Sequence, residues 1–119
     1  GQGSLFHPSF AGVSTRLLHG AQPAALLLCH DPSRPHMRGL PHCPMPQIAA
    51  CLAANLRAAQ LTSPDVRAIG IALNTSKMTE VAAAHVLKET EDQTGLPCID
   101  PLRTGCGPIV DRMISWPAA

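Results

Sequence analysis

The sequence predicts an α/β fold of three layers, a mostly parallel sheet with helices on both faces. Three observations predict it. The run Val66-Arg67-Ala68-Ile69-Gly70-Ile71-Ala72-Leu73 is apolar and β-branched with almost no polar interruption, as in a strand buried on both faces. Helical patterns and short apolar runs alternate as helix, strand, helix, strand, helix, strand, helix, and right-handed crossovers assemble such units into a parallel sheet. The central run also stops abruptly at Asn74-Thr75-Ser76. In open α/β sheets ligands sit beyond the carboxyl ends of the strands, which makes Asn74 and Thr75 the first candidates for ligand contact. A second reading stays open, in which Asn74 only turns the chain and Thr75 or Thr79 only caps the next helix.

Composition narrows the function. The 119 residues suit a single α/β domain, 1–119, with room for a core but short for a complete nucleotide-binding enzyme. A formal net charge of +1, with 14% charged residues and no Lys/Arg cluster, gives no footprint for nucleic acid or an anionic membrane. Two Phe, one Trp and no Tyr leave few platforms on which bases stack. The five cysteines are odd in number and irregularly spaced, which reads as reduced thiols of a cytoplasmic protein. No apolar run reaches the roughly 18 residues of a membrane span.

In chain order, Gly1-Gln2-Gly3-Ser4 is a glycine-rich loop with no strand in front of it. A helix is expected from about Phe10 to His19, with Phe10, Val13, Leu17 and Leu18 on its apolar side and Gly20 ending it. Ala24-Ala25-Leu26-Leu27-Leu28-Cys29 reads as the first buried strand. From Asp31 to Pro46, five prolines and Gly39 argue against any regular element. Ile48, Leu52 and Leu56 recur every fourth residue in a helix expected over 47–61. A further helix is expected from Thr79 to Thr94, with Gly95 at its end and Pro97 preventing continuation. Pro97-Cys98-Ile99 makes a short strand, and a last helix over 108–114 precedes Trp116, read as an anchor.

Taken together, Gly1-Gln2-Gly3-Ser4-Leu5-Phe6-His7-Pro8, Leu18-His19-Gly20, Leu28-Cys29-His30-Asp31-Pro32, Gly70-Ile71-Ala72-Leu73-Asn74-Thr75 and Gly95-Leu96-Pro97-Cys98-Ile99-Asp100-Pro101-Leu102-Arg103 resemble the C-terminal half of the domain-of-unknown-function 1611 family. That half is similar to the P-loop nucleotide hydrolase fold of the dethiobiotin-synthetase type. The resemblance implies a truncated P-loop NTPase-like domain, the C-terminal fragment of a longer two-domain protein whose upstream part holds a Rossmann-like domain and the phosphate-binding loop. Lys77-Met78-Thr79 only echoes such a loop, without the glycines whose amides cradle phosphate. The acidic metal ligand that the family places before the first glycines is not in this sequence either.

The resemblance also implies site residues. Asn74 falls where an asparagine reads the adenine edge, its amide offering a donor beside an acceptor. Asp100 and Pro101 fall where the base and ribose pocket is lined, although a proline turn after a strand is an equal reading. Gly3 and Ser4 fall near the terminal phosphate. From the residues themselves, His30 is a candidate acid or base near neutral pH, and Asp31 and Arg34 are candidate substrate contacts, guanidinium suiting carboxylate or phosphate. The alternatives are a histidine that only holds the proline-rich loop and a solvated arginine. Cys29, His30, His36, His42 and Cys43 crowd a short span but lack the C-x₂₋₄-C pair of structural zinc sites, so no metal is assigned.

Three functions follow as expectations. In the first, the chain is part of a protein similar to D-glutamate N-acetyltransferases, supplying a nucleotide- or CoA-side pocket for acetyl-CoA. In the second, it belongs to an ATP- and Mg²⁺-dependent ligase or kinase-like enzyme of the dethiobiotin-synthetase type. In the third, it is a non-catalytic fragment that self-associates through an exposed sheet edge. None of these cofactors is expected to bind tightly to the fragment alone, and the expected partners are a small nucleotide or acyl donor and a second copy of the chain.

Overall fold

The computed structural model describes residues 4–115. Gly3 and Trp116, both singled out above, lie outside the described residues. After a single 3₁₀ turn at Ser4–Phe6, the elements are α1 (Ala11–Ala21), β1 (Ala25–His30), β2 (His36–Met37), β3 (Leu40–Pro44), α2 (Ile48–Gln60), β4 (Arg67–Leu73), α3 (Glu80–Thr94), β5 (Cys98–Ile99) and α4 (Gly107–Ile114).

The expected parallel sheet is present, in the order β1-β4-β5, with β4 paired in parallel to both neighbours. β4 is buried from Ala68 to Leu73, which is why its sequence has no polar alternation. One residue breaks its register: Leu26 stands opposite Ala68 but Leu27 opposite Gly70, so Ile69 is an extra residue in the ladder. Residues two apart normally share a face, and the bulge changes that. Ile71 and Leu73 pack with Leu28 and Cys51 against α2 and α3, whereas Ile69 joins Ala72, Ile99 and Ile109 on the α4 side. Helices therefore cover both faces.

The helix ends follow local chemistry. Thr79 Oγ1 accepts from Ala82 N at 3.2 Å at the start of α3, and Gly95 ends the helix with φ 68°, its N–H donating to Glu91 O at 2.8 Å. At α1 the expectation fails, because the helix runs through Gly20 to Ala21 and Gln22 takes the left-handed position with φ 50°. Gln22 sustains that conformation by donating from Nε2 to His19 O at 2.7 Å and accepting from Ser63 Oγ at 3.1 Å. The expected apolar side of α1 is also open: Phe10, Val13 and Leu17 are 48%, 57% and 67% exposed. This helix packs on α2 and the 3₁₀ turn, with His19 Nε2 bonded to Ala58 O at 2.8 Å.

A second correction concerns 31–46, where no regular element was expected and β2 and β3 form an antiparallel hairpin. Gly39, with φ 73°, makes the reversal. Pro41 and Pro44 are tolerated because a two-stranded ribbon leaves one edge of each strand without ladder bonds. Met37 is the hairpin's buried anchor.

Gly70 lies at a close approach of backbone and side chain. A Cβ there would stand 2.9 Å from Pro97 O and run into the Ile109 side chain, while Pro97 O already accepts from Ile71 N at 2.9 Å. Gly70→Ala is therefore expected to destabilise the chain by about 1–3 kcal/mol through overpacking, read as a lower urea midpoint at unchanged slope.

Candidate functional site

The carboxyl ends of β1, β4 and β5 lie side by side, joined at their rim by Asn74 N donating to His30 O at 2.9 Å. Beyond that rim is a cleft of about 490 Å³. His30 and Asp31 come from the end of β1, Asn74 from the end of β4 and Pro101 from the chain after β5. Ser4, His7 and Phe10 enter from the amino-terminal turn and α1 entry, while Arg34, Met37, Arg38 and Met45 enter from the hairpin and its flanks. Of the residues read from the sequence, Ser4, His30, Asp31, Arg34, Asn74 and Pro101 are brought together here.

Thr75 and Asp100 were expected to line the cleft, and the structure places them beneath it instead. Thr75 is fully buried and Asp100 is 3% exposed. Asp100 Oδ2 accepts from Thr75 N at 3.0 Å and from the Thr75 hydroxyl, and Asp100 Oδ1 accepts from Leu102 N at 3.0 Å and Arg103 N at 3.3 Å. Arg103 closes the cluster: its Nη2 donates to Thr75 O at 3.1 Å and Met78 O at 2.6 Å, and its Nε lies 3.9 Å from Asp100 Oδ2. A carboxylate so surrounded has little acceptor capacity left for a ligand. Burial pushes the Asp100 carboxyl up, but the bonds from Thr75, Leu102 and Arg103 outweigh it and hold the group below the usual aspartate value.

Asn74 Oδ1 accepts from Ser76 N at 3.1 Å, closing an Asx turn, and the exposed residue also lines the cleft. Asp31 is tied to Ser33, whose N and Oγ donate to Oδ1 at 3.0 and 2.5 Å. Arg34 Nε stands 3.8 Å from Asp31 Oδ2. Burial raises the Asp31 carboxyl, and the Ser33 bonds with the Lys77 and Arg34 charges bring it below its ordinary value.

His30 is set apart by an orphan atom: Nδ1 is buried and has no hydrogen-bond partner among the described residues. Burial lowers its pKa from 6.5, partly offset by the Asp31 charge.

The sequence pattern missed His7. This residue is 6% exposed; its Nδ1 accepts from Ser9 N at 3.1 Å, which leaves Nε2 to donate to Arg38 O at 2.9 Å. Its ring also lies 4.6 Å from that of Phe10. A histidine before a proline in a terminal loop carries no periodic signal, and the partner of its Nε2 belongs to the hairpin, itself unforeseen. Among the described residues no three His, Cys, Asp or Glu side chains are placed to share a metal ion, and none of the five cysteines forms a disulfide. No helix is long and apolar enough to cross a membrane, among the described residues.

Parallel order, helices on both faces and a cleft at the strand ends define a P-loop-like α/β domain. The chain belongs to the DUF1611 family: residues 1–110 match the model described as the Domain of unknown function (DUF1611_C) P-loop domain. It is similar to the D-glutamate N-acetyltransferases of a Pseudoalteromonas species, 49% identical, and of Tritonibacter scottomollicae, 47% identical, each over 113 residues. Each match takes in 95% of this chain and 34% of the relative. The crystal structure of a DUF1611 family protein from Anabaena variabilis superposes with a TM-score of 0.84 at 34% identity, over 96% of this chain and 34% of that one. The chain thus spans about a third of the length of the relatives it matches.

Two outcomes test the site's electrostatics. Because the folded pKa of Asp100 lies below the unfolded value of 3.8, its stabilisation is fully present above that value and is lost as pH falls through the folded pKa. Thr75→Val is therefore expected to destabilise the chain by about 2–3 kcal/mol at neutral pH, with a deficit that shrinks in urea melts as the pH falls through the folded pKa of Asp100. Asp31→Asn removes the charge that raises His30, so NMR titration is expected to find the His30 pKa lower in that variant than in the parent.

Proposed function

We propose that the cleft is the nucleotide- or CoA-side pocket, and part of the substrate cleft, of a D-glutamate N-acetyltransferase. The observation that carries this reading is the convergence of His30, Asp31, Arg34 and Asn74 on one cleft, in a chain whose relatives bear that name. An adenine edge presents a donor and an acceptor that an asparagine amide matches, and Asn74 supplies the NH₂ half at the rim. Acetyl transfer from a thioester forms a bond between the amine nitrogen and the acetyl carbon and breaks the carbon–sulfur bond. The amine proton needs a base, and the thiolate leaving group needs a proton. An imidazole lining the cleft can take the first of these, and His30 is assigned that role.

A second reading rests on a separate observation. β1 is an edge strand, and the exposed Leu27 on it and Leu17 of α1 share an apolar groove of about 270 Å³. Unpaired strand edges with apolar surroundings associate, and a second copy of the chain is the occupant in this reading.

Calorimetric titration with acetyl-CoA, ATP and D-glutamate separates these readings. The transferase reading expects acetyl-CoA or D-glutamate to bind, with Asn74→Ala weakening acetyl-CoA about tenfold. ATP alone binding would move the assignment to a ligase-type reaction. Silence from all three, with light scattering that rises above monomer, would leave self-association.

A further inference from the structure

We propose that Arg38 is the anion-recognising residue of the cleft, taking a carboxylate or phosphate oxygen of the molecule that fills it, and that His7 positions it. The inference rests on the reading of the cleft as a small-molecule site. Two arginines line that cleft, and they differ in what surrounds them. Arg34 shares its charge with Asp31 at 3.8 Å. Arg38 forms no ion pair among the described residues, and its guanidinium keeps its donors for an incoming anion.

The backbone under Arg38 is unusually well held for an exposed turn. Arg38 and Gly39 form the two-residue tip between the paired residues Met37 and Leu40. Gly39 has φ 73° and Arg38 is not in the left-handed region, the pattern of a type II turn. Met37 on one side is buried. On the other, the buried His7 ring donates from Nε2 to Arg38 O at 2.9 Å, and its own orientation is fixed by Ser9 N on Nδ1 at 3.1 Å. A turn anchored in this way loses little freedom when its side chain engages a ligand. The ligand class is thus a small molecule bearing a carboxylate or phosphate, the groups that a guanidinium engages through paired N–H donors.

The test follows backbone and arginine-side-chain NMR signals of the 119-residue chain during titration with D-glutamate and, separately, inorganic phosphate. The parent is expected to shift at Arg38 with at least one probe, the responding probe telling carboxylate from phosphate. Arg38→Ala is expected to weaken that probe at least about tenfold, with Arg38→Lys recovering only part. His7→Gln is expected to weaken it in the parent background and to have no further effect beside Arg38→Ala, the non-additivity that marks action through Arg38. Binding by the parent that survives Arg38→Ala unchanged overturns the inference and leaves the reading of the cleft intact. No shift with either probe overturns both, and a His7→Gln effect that persists in the Arg38→Ala background removes the positioning role.

Discussion

The site depends on one buried carboxylate. Asp100 gathers the Thr75 amide and hydroxyl and two following backbone amides, and so fastens the chain leaving β4 to the chain leaving β5. An aspartate carboxylate out of water is tolerable only when its acceptor sites are filled, and here they are filled by donors that have to converge for the rim to form. The Arg103 guanidinium, reaching Thr75 O and Met78 O, extends the fastening into the turn before α3. Asn74 stands directly above this cluster in sequence and inherits its fixed position.

The consequence is a division of labour along the strand ends. The residues after β4 and β5 are rigid, bonded to one another and to β1 through His30 O. The hairpin wall opposite is a two-stranded ribbon anchored by the buried Met37 and by the bond from His7 to Arg38 O, so the cleft lies between a firm sheet edge and a ribbon whose turn is itself held.

How much of this was legible follows from which interactions are local. β4 could be read because burial on both faces removes polar residues from a continuous run, and α3 because Thr79 and Gly95 bond to their own helix. The alternation of elements placed Asn74, His30 and Asp31 at strand ends, while the order of the strands in the sheet was not legible. What was missed is non-local. Thr75 and Asp100 were assigned to the right rim, but partners 25 residues apart in sequence give no pattern showing that they satisfy each other. The hairpin hid because proline normally argues against strands, and His7 hid because its partner belongs to that hairpin. Gly20 looked like a helix stop, and the actual stop at Gln22 is made by a side-chain amide that no propensity encodes.

The extra residue at Ile69 separates the phase of the strand's root from the phase of its tip. Past the bulge, β4 is matched to Leu27 through His30 on one side and to Cys98 and Ile99 on the other, so irregularity near Arg67 is absorbed before it can rotate Asn74 out of the cleft. A chain of this kind can vary in length at the far end of its sheet and still deliver the same side chain to the same place.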